Sequence, residues 1–238
     1  MILQEQLDLG QGGRALEVCR RLVAEQGERQ LKPRRDPMRE LISTMLSHRT
    51  THANEEAAYE RMWQRFGSWE AIRDAPVDEL IEALRPATFP EPKAANIKAT
   101  LEHIIAERGA PAIDFLAALP TQEGMDWLMR MPGVGLKTAS LVLLFCFAKP
   151  ILPVDTHVHR VSQRVGLIGP KVNPTAAHAL LQAQLPQEAL LLYNFHVAVL
   201  RHGQRVCVWG TPHCERCVLT DLCDWYRTQN APSINQIK

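Results

Sequence analysis

Met131-Pro-Gly-Val-Gly-Leu-Lys137-Thr-Ala139, the apolar run that follows to Phe147, and then Pro153-Val-Asp155-Thr-His157 form the stretch on which the reading of this chain turns. Gly133 and Gly135 stand between a helix that Pro120-Thr121 can start and a nearly all-apolar helix from Thr138 to Phe147. No strand signal precedes the glycines, and Thr138 occupies the place of a third glycine, so this is not a dinucleotide fingerprint. Lys137 does not follow a glycine at P-loop spacing. What remains is helix, tight turn, helix. Both glycines permit backbone angles that expose successive N–H groups, and the second helix adds its own unpaired N–H groups and positive dipole end. Gly133, Val134 and Gly135 can hold a phosphate in this way without reading base sequence. The same geometry also serves as a plain helix–helix corner, and the turn alone does not separate the two.

Outward from this stretch, helical periodicity dominates and no alternating strand of useful length is found, which predicts an all-α protein. Arg14 to Gln26 is a first helix, after the Gly10-Gln-Gly-Gly13 break. Pro37 opens a second, with Met38, Leu41, Ile42, Met45 and Leu46 along one face. Tyr59, Met62, Trp63 and Phe66 repeat the spacing up to Gly67-Ser68, which ends one helix and can cap the next. Pro76 starts another, with Val77, Leu80, Ile81 and Leu84 inward. Arg85 to Pro92 reads as a loop because Pro86, Pro90 and Pro92 remove donors, with Phe89 at its tip. Ile97, Leu101, Ile104 and Ile105 lead to Gly109. Asp155 sits where an N-cap belongs, ahead of Val158, Val161 and Val165. Helices from Pro174 to Leu185 and from Glu188 to His202 complete the set, and residues after Arg227 read as a polar tail.

The chain has 238 residues, 46% hydrophobic and 22% charged, which places it with folded globular proteins and away from disordered and membrane-embedded ones. Met1-Ile-Leu-Gln-Glu-Gln-Leu-Asp lacks a basic-then-apolar leader, and the expectation is an intracellular, cytoplasmic protein, nucleoid-associated in a bacterium, with no membrane partner. A net charge of +1 hides an uneven distribution. Arg130 to Lys171 carries six Lys or Arg against one acid, whereas Ala53 to Glu82 carries three Arg against eight acids. The basic region is a candidate phosphate-facing surface, although a solvated basic face looks the same in sequence.

Six cysteines in an intracellular chain read as thiols or ligands. Four of them, Cys207, Cys214, Cys217 and Cys223, crowd one segment. Four soft donors suit an iron–sulfur cluster or tetrahedral zinc, and the spacing alone leaves the metal open. His213 is the nearest competing ligand. Cys19 and Cys146 lie outside this group and read as core residues.

Met131-Pro-Gly-Val-Gly-x-Lys137-Thr-Ala together with Val154-Asp155-Thr-His157-Val-x-Arg160-Val resembles the endonuclease III family of helix-hairpin-helix, iron–sulfur DNA glycosylases, over about Ala15 to Arg227. The resemblance implies a two-lobed all-α fold. A six-helix barrel would span residues 30–149, with the helix-hairpin-helix motif at about 121–148. An iron–sulfur lobe would join residues 1–29 to 150–229, leaving 230–238 as the polar tail. It further implies a monomeric, bifunctional DNA glycosylase and abasic-site lyase of base excision repair, acting on double-stranded DNA with damaged bases, oxidised pyrimidines as a class, or abasic sites. In the family, the lysine matching Lys137 attacks C1′ of a flipped-out nucleotide, releases the base and forms a Schiff base, after which β-elimination cuts the strand. The acid matching Asp155 stabilises positive charge on the sugar and assists proton transfer. The spacing of the four cysteines matches the family's 4Fe-4S loop, which implies that cofactor. The chemistry stands independently, since an imine needs an amine and a carboxylate can stabilise an oxocarbenium-like sugar.

Two segments depart from the family pattern. Where the family reads Leu-Ser-Ala-Gln-Ala-Thr-Asp, this chain reads Leu46-Ser-His48-Arg49-Thr-Thr-His52. Arg49 therefore replaces the glutamine that fills the space of the flipped base, and His52 replaces the aspartate. Phe89-Pro90 stands where a Leu-Tyr pair precedes Ser-Lys-Ala. Arg49 and Phe89 are expected to contact DNA, Phe89 as a wedge between bases. His48, His52 and His157 are candidates for the damage pocket. DNA is expected across the cleft between the lobes. The departures leave room for two other functions on the same fold: a mismatch or alkylated-base glycosylase, and a weakly catalytic module that binds damaged or abasic DNA.

Overall fold

A computed structural model of the chain describes residues 13–32 and 36–230. The expectations placed on the N-terminal residues before Gly13 and on the tail beyond Asn230 lie outside the described residues. Among those described, every regular element is helical. In chain order these are α1 (Arg14–Gln26), α2 (Pro37–Leu46), α3 (His52–Phe66), α4 (Trp69–Asp74), α5 (Val77–Ala83), α6 (Pro90–Arg108), α7 (Thr121–Leu128), α8 (Leu136–Phe147), α9 (Thr156–Val165), α10 (Pro174–Gln182), α11 (Ala189–Arg205) and α12 (Asp224–Gln229), with short 3-10 turns at Asp114–Ala117, Cys214–Arg216 and Thr220–Leu222.

The helix starts are chemically explicit. Side chains of Asp36, Thr51, Ser68, Asp155 and Asn173 each accept a hydrogen bond from the backbone N–H three residues on, at 2.7–3.3 Å. Gly67, Gly109 and Gly166 close helices in the left-handed region.

Three sequence expectations change. The loop at Arg85 ends sooner than expected, because α6 begins at Pro90. Pro90 and Pro92 fall in its first turn, where the missing N–H groups have no intrahelical partner in any case. Helix α8 begins at Leu136, which puts Lys137 inside its first turn. Val77 is 43% exposed although its spacing places it inward. It opens a helix of only seven residues, whose buried positions are Leu80 and Ala83.

The chain divides into two compact units, one of residues 32–149 and one joining residues up to 31 with those from 150 onward. In the first, α2 packs on α3, α6 and α8, α6 on α4 and α5, and α7 on α8. Leu41, Ile42, Leu46, Ile97, Leu101, Val142, Leu143 and Leu144 are fully buried there, each side chain worth about 1.5–3 kcal/mol. In the second, α11 packs on α1 and α9, and α9 on α10 and α12. Leu22, Leu152, Val158, Leu181, Leu191, Leu192, Phe195 and Val199 form its core. Gly203 lies within α11 because a Cβ there would meet the His157 Cβ of α9 at 2.9 Å. Cys19 and Cys146 are buried, as expected of core residues.

Candidate functional site

The turn between α7 and α8 is built by one glycine rather than two. Gly133 has a φ of +78°, and a Cβ on it would lie 2.7 Å from Asn96 Nδ2 of α6. Gly135 is the N-cap of α8 with an extended backbone that any residue adopts, and nothing lies within 4 Å of its missing Cβ. Among the described residues no side chain caps α8 at this end, which leaves its first N–H groups without a side-chain cap there. Val134 is buried and its N–H bonds Met131 O at 3.1 Å, closing the turn.

Lys137 is half-buried in the first turn of α8. His48, in the turn after α2, places Nε2 3.1 Å from Oγ1 of the neighbouring Thr138, which is fully buried. Burial lowers the His48 pKa below its ordinary value, and the charges of Lys137 and Lys93 lower it further. His48 thus stands between Lys137 of α8 and Lys93 and feels the charge of both. Lys93 was not singled out by the sequence reading. It is buried, burial lowers its pKa to about 8, and its Nζ donates to Leu46 O, His48 O and Thr50 Oγ1.

Asp155 belongs to the other unit. Its Oδ1 accepts from Val158 N at 2.7 Å, making it the N-cap of α9. Two turns of α9 then present Arg160 and Arg164, at helical i, i+4 spacing. Arg160 is buried and donates to Cys207 O, Gly203 O and His157 Nδ1 at 2.8–3.2 Å. Arg164 donates to Val208 O at 2.6 Å and Trp209 O at 2.9 Å. Both guanidiniums lie over indoles, Arg160 over Trp209 and Arg164 over Trp225. The pair therefore holds the start of the cysteine-bearing segment to α9.

The four C-terminal cysteines occupy one region of the second unit, within electrostatic reach of Cys207. Cys214, Cys217 and Cys223 each feel Cys207 electrostatically, and burial pushes all three thiols up, Cys217 to about 11. Arg164 Nη1 lies 3.4 Å from Cys207 Sγ and the Leu219 N–H donates to Cys217 Sγ at 3.4 Å, contacts that suit thiolates bound to a cationic centre. The donor set fits a metal–sulfur group. The histidine at this site is His202, whose Nε2 lies 3.5 Å from Cys217 Sγ, and not His213, which is exposed and faces Glu215. Chain proximity suggested His213, whereas the last turns of α11 deliver His202 from fifteen residues upstream of Cys217.

Of the remaining candidates, Arg49 and Phe89 are exposed and each has a φ of +55°. His52 is exposed, with Nδ1 3.2 Å from Glu55 Oε2, so its ring faces a carboxylate. His157 is engaged with Arg160.

The chain matches the profile of the HhH-GPD superfamily of base excision DNA repair proteins over residues 42–187. It is 32% identical over 192 residues to endonuclease III of Thermotoga maritima, covering 81% of this chain and 84% of that protein. To endonuclease III of Sulfolobus acidocaldarius it is 30% identical over 188 residues, covering 78% and 81%. Among solved structures, a trapped endonuclease III–DNA covalent intermediate is similar with a TM-score of 0.77 and 24% identity, over 91% of this chain and 99% of that one. A thermostable thymine-DNA glycosylase is similar with a TM-score of 0.74 and 20% identity, over 90% and 97%. At these identities the structural likeness speaks for the fold.

Proposed function

The chain belongs to the HhH-GPD superfamily of base excision DNA repair proteins and is a glycosylase and lyase of the endonuclease III kind, and we propose that Lys137 is its nucleophile, Asp155 its assisting acid and oxidised pyrimidines its substrates. The observation that carries the first assignment is the place of Lys137, half-buried in the first turn of α8 directly behind the Gly133 turn.

In this reading double-stranded DNA binds with phosphate against the N–H groups of Gly133 and Gly135, the Val134 N–H being engaged with Met131 O, and the damaged nucleotide leaves the stack. Lys137 Nζ attacks C1′, the N-glycosidic bond breaks, and the base departs with its bonding electrons and takes a proton. Opening of the sugar leaves an imine between Nζ and C1′. Loss of a C2′ proton then expels the 3′ phosphate, and water hydrolyses the imine to return the lysine. Asp155 stabilises positive charge on the sugar and assists these proton transfers. His48, His52 and His157 are candidates for contact with the lesion, and Arg49 and Phe89 fill the stack.

Cys207, Cys214, Cys217 and Cys223 would hold a 4Fe-4S cluster, supported by the family and by four converging thiols. When bound it supplies a covalent staple for the C-terminal segment. Abasic sites are a second substrate, and the protein works as a monomer in the cytoplasm or on the nucleoid. Among the described residues no helix is long and apolar enough to cross a membrane.

Borohydride reduction tests the nucleophile. Wild-type protein should be trapped covalently on duplex DNA carrying an abasic site, and Lys137→Ala should not. Equal trapping by the variant would assign the imine to another amine.

A further inference from the structure

Arg49 and Phe89 lie forty residues apart in sequence, yet they share an unusual backbone. Each has a φ of +55°, in the left-handed region that a side chain tolerates poorly and keeps only where its surroundings impose it. Both are exposed, Phe89 to 54%.

What imposes the two conformations is a single node. All three donors of the buried Lys93 ammonium are used, on Leu46 O at 2.7 Å, His48 O at 2.9 Å and Thr50 Oγ1 at 2.6 Å. Leu46 ends α2, and His48 and Thr50 flank Arg49, so the ammonium draws the whole turn together. Thr50 Oγ1 also donates to His48 O at 3.2 Å and accepts from Thr88 N, the residue before Phe89, at 3.1 Å. Its donor and both acceptor sites are filled. Two side-chain atoms therefore fasten the turn bearing Arg49 to the turn bearing Phe89. With every donor engaged inside the protein, Lys93 has none left for phosphate.

We propose that Lys93 and Thr50 are positioning residues for base extrusion, presetting Arg49 and Phe89 as one wedge so that DNA binding does not have to order two separate loops. This rests on the reading above that the protein acts on a flipped-out nucleotide. A loop serving stability alone would take glycine at a φ of +55° and gains nothing from an exposed arginine or phenylalanine there.

Extrusion can be read without catalysis, from the fluorescence of 2-aminopurine placed beside a non-cleavable abasic-site analogue in a duplex. Wild-type protein should unstack the reporter on binding. Lys93→Met and Thr50→Val, measured well below their own melting temperatures, should unstack it about tenfold more slowly or worse. Thr50→Ser, which keeps the hydroxyl, should restore the signal. Thr50→Val is close to isosteric, so it reports even if Lys93→Met fails to fold. Folded Thr50→Val protein that unstacks like wild type, Thr50→Ser as impaired as Thr50→Val, or a wild type that leaves the reporter stacked would each overturn the proposal. Wild type that unstacks but is never trapped by borohydride, with Thr50→Val impaired, upholds the wedge and overturns the Lys137 chemistry instead.

Discussion

His48 Nε2 lies 3.1 Å from Oγ1 of Thr138, so the imidazole is held against the residue next to Lys137. The folded state disfavours its protonation, through burial first and the Lys137 and Lys93 charges second. The unfolded chain therefore binds this proton more readily. The associated stability is fully present above the ordinary histidine value of 6.5 and is lost as pH falls through the lower folded value. Chemical denaturation across pH 7 to 4.5 should show this slope in wild type and a shallower one in His48→Gln, and an NMR titration should place the His48 pKa below 6.5. Titration of His48 at or above its ordinary value would contradict the burial argument.

The two glycines of the hairpin should respond differently. Gly133→Ala strains a positive φ and drives a Cβ against Asn96, which should cost about 1–3 kcal/mol. Gly135→Ala meets neither obstacle and should unfold within about 0.5 kcal/mol of wild type. Gly135→Ala adds a methyl group where phosphate is proposed to bind, so a loss of DNA affinity without a loss of stability is expected. Equal melting of the two variants would remove the distinction.

Arg160 is a buried cation whose donors serve Cys207 O and Gly203 O. Arg160→Met keeps the length but leaves those carbonyls unsatisfied, a loss of about 1–3 kcal/mol. Denaturant unfolding measures it directly. Arg160→Lys should recover only part of the loss, because one ammonium does not reproduce the fork that spans both carbonyls and His157.

Four converging thiols predict a coloured protein. Purified wild type should be brown and contain about four irons per chain, and Cys217→Ser should lose both colour and iron. Colourless protein with stoichiometric zinc would reject the 4Fe-4S assignment while keeping the same four ligands.

Much of the fold was legible because it is written in local chemistry. Asp36, Ser68, Asp155 and Asn173 each cap the helix that begins at the next residue by bonding the N–H three residues on, and Gly67 and Gly109 end helices at their own positions. The misjudged places are those where a local rule met a positional exception. Pro90 and Pro92 argue against a helix interior but are harmless in a first turn, and Val77 obeys the helical spacing but stands at a helix end, where it stays exposed.

By itself the sequence determined the helical class, the family, and the run of motifs from Gly133 to Asp155 and from Cys207 to Cys223, since each depends on residues close together along the chain. Only the tertiary structure decided which side chains surround them. Lys93 reaches carbonyls forty-five and forty-seven residues away, Arg160 reaches Cys207 across forty-seven, and His48 meets Thr138 across ninety. No periodicity or spacing encodes such contacts. They exist because α6, α9 and α2 are brought beside their neighbours by burial of apolar faces, and a buried amine or guanidinium then bonds whatever acceptors packing has left within its reach.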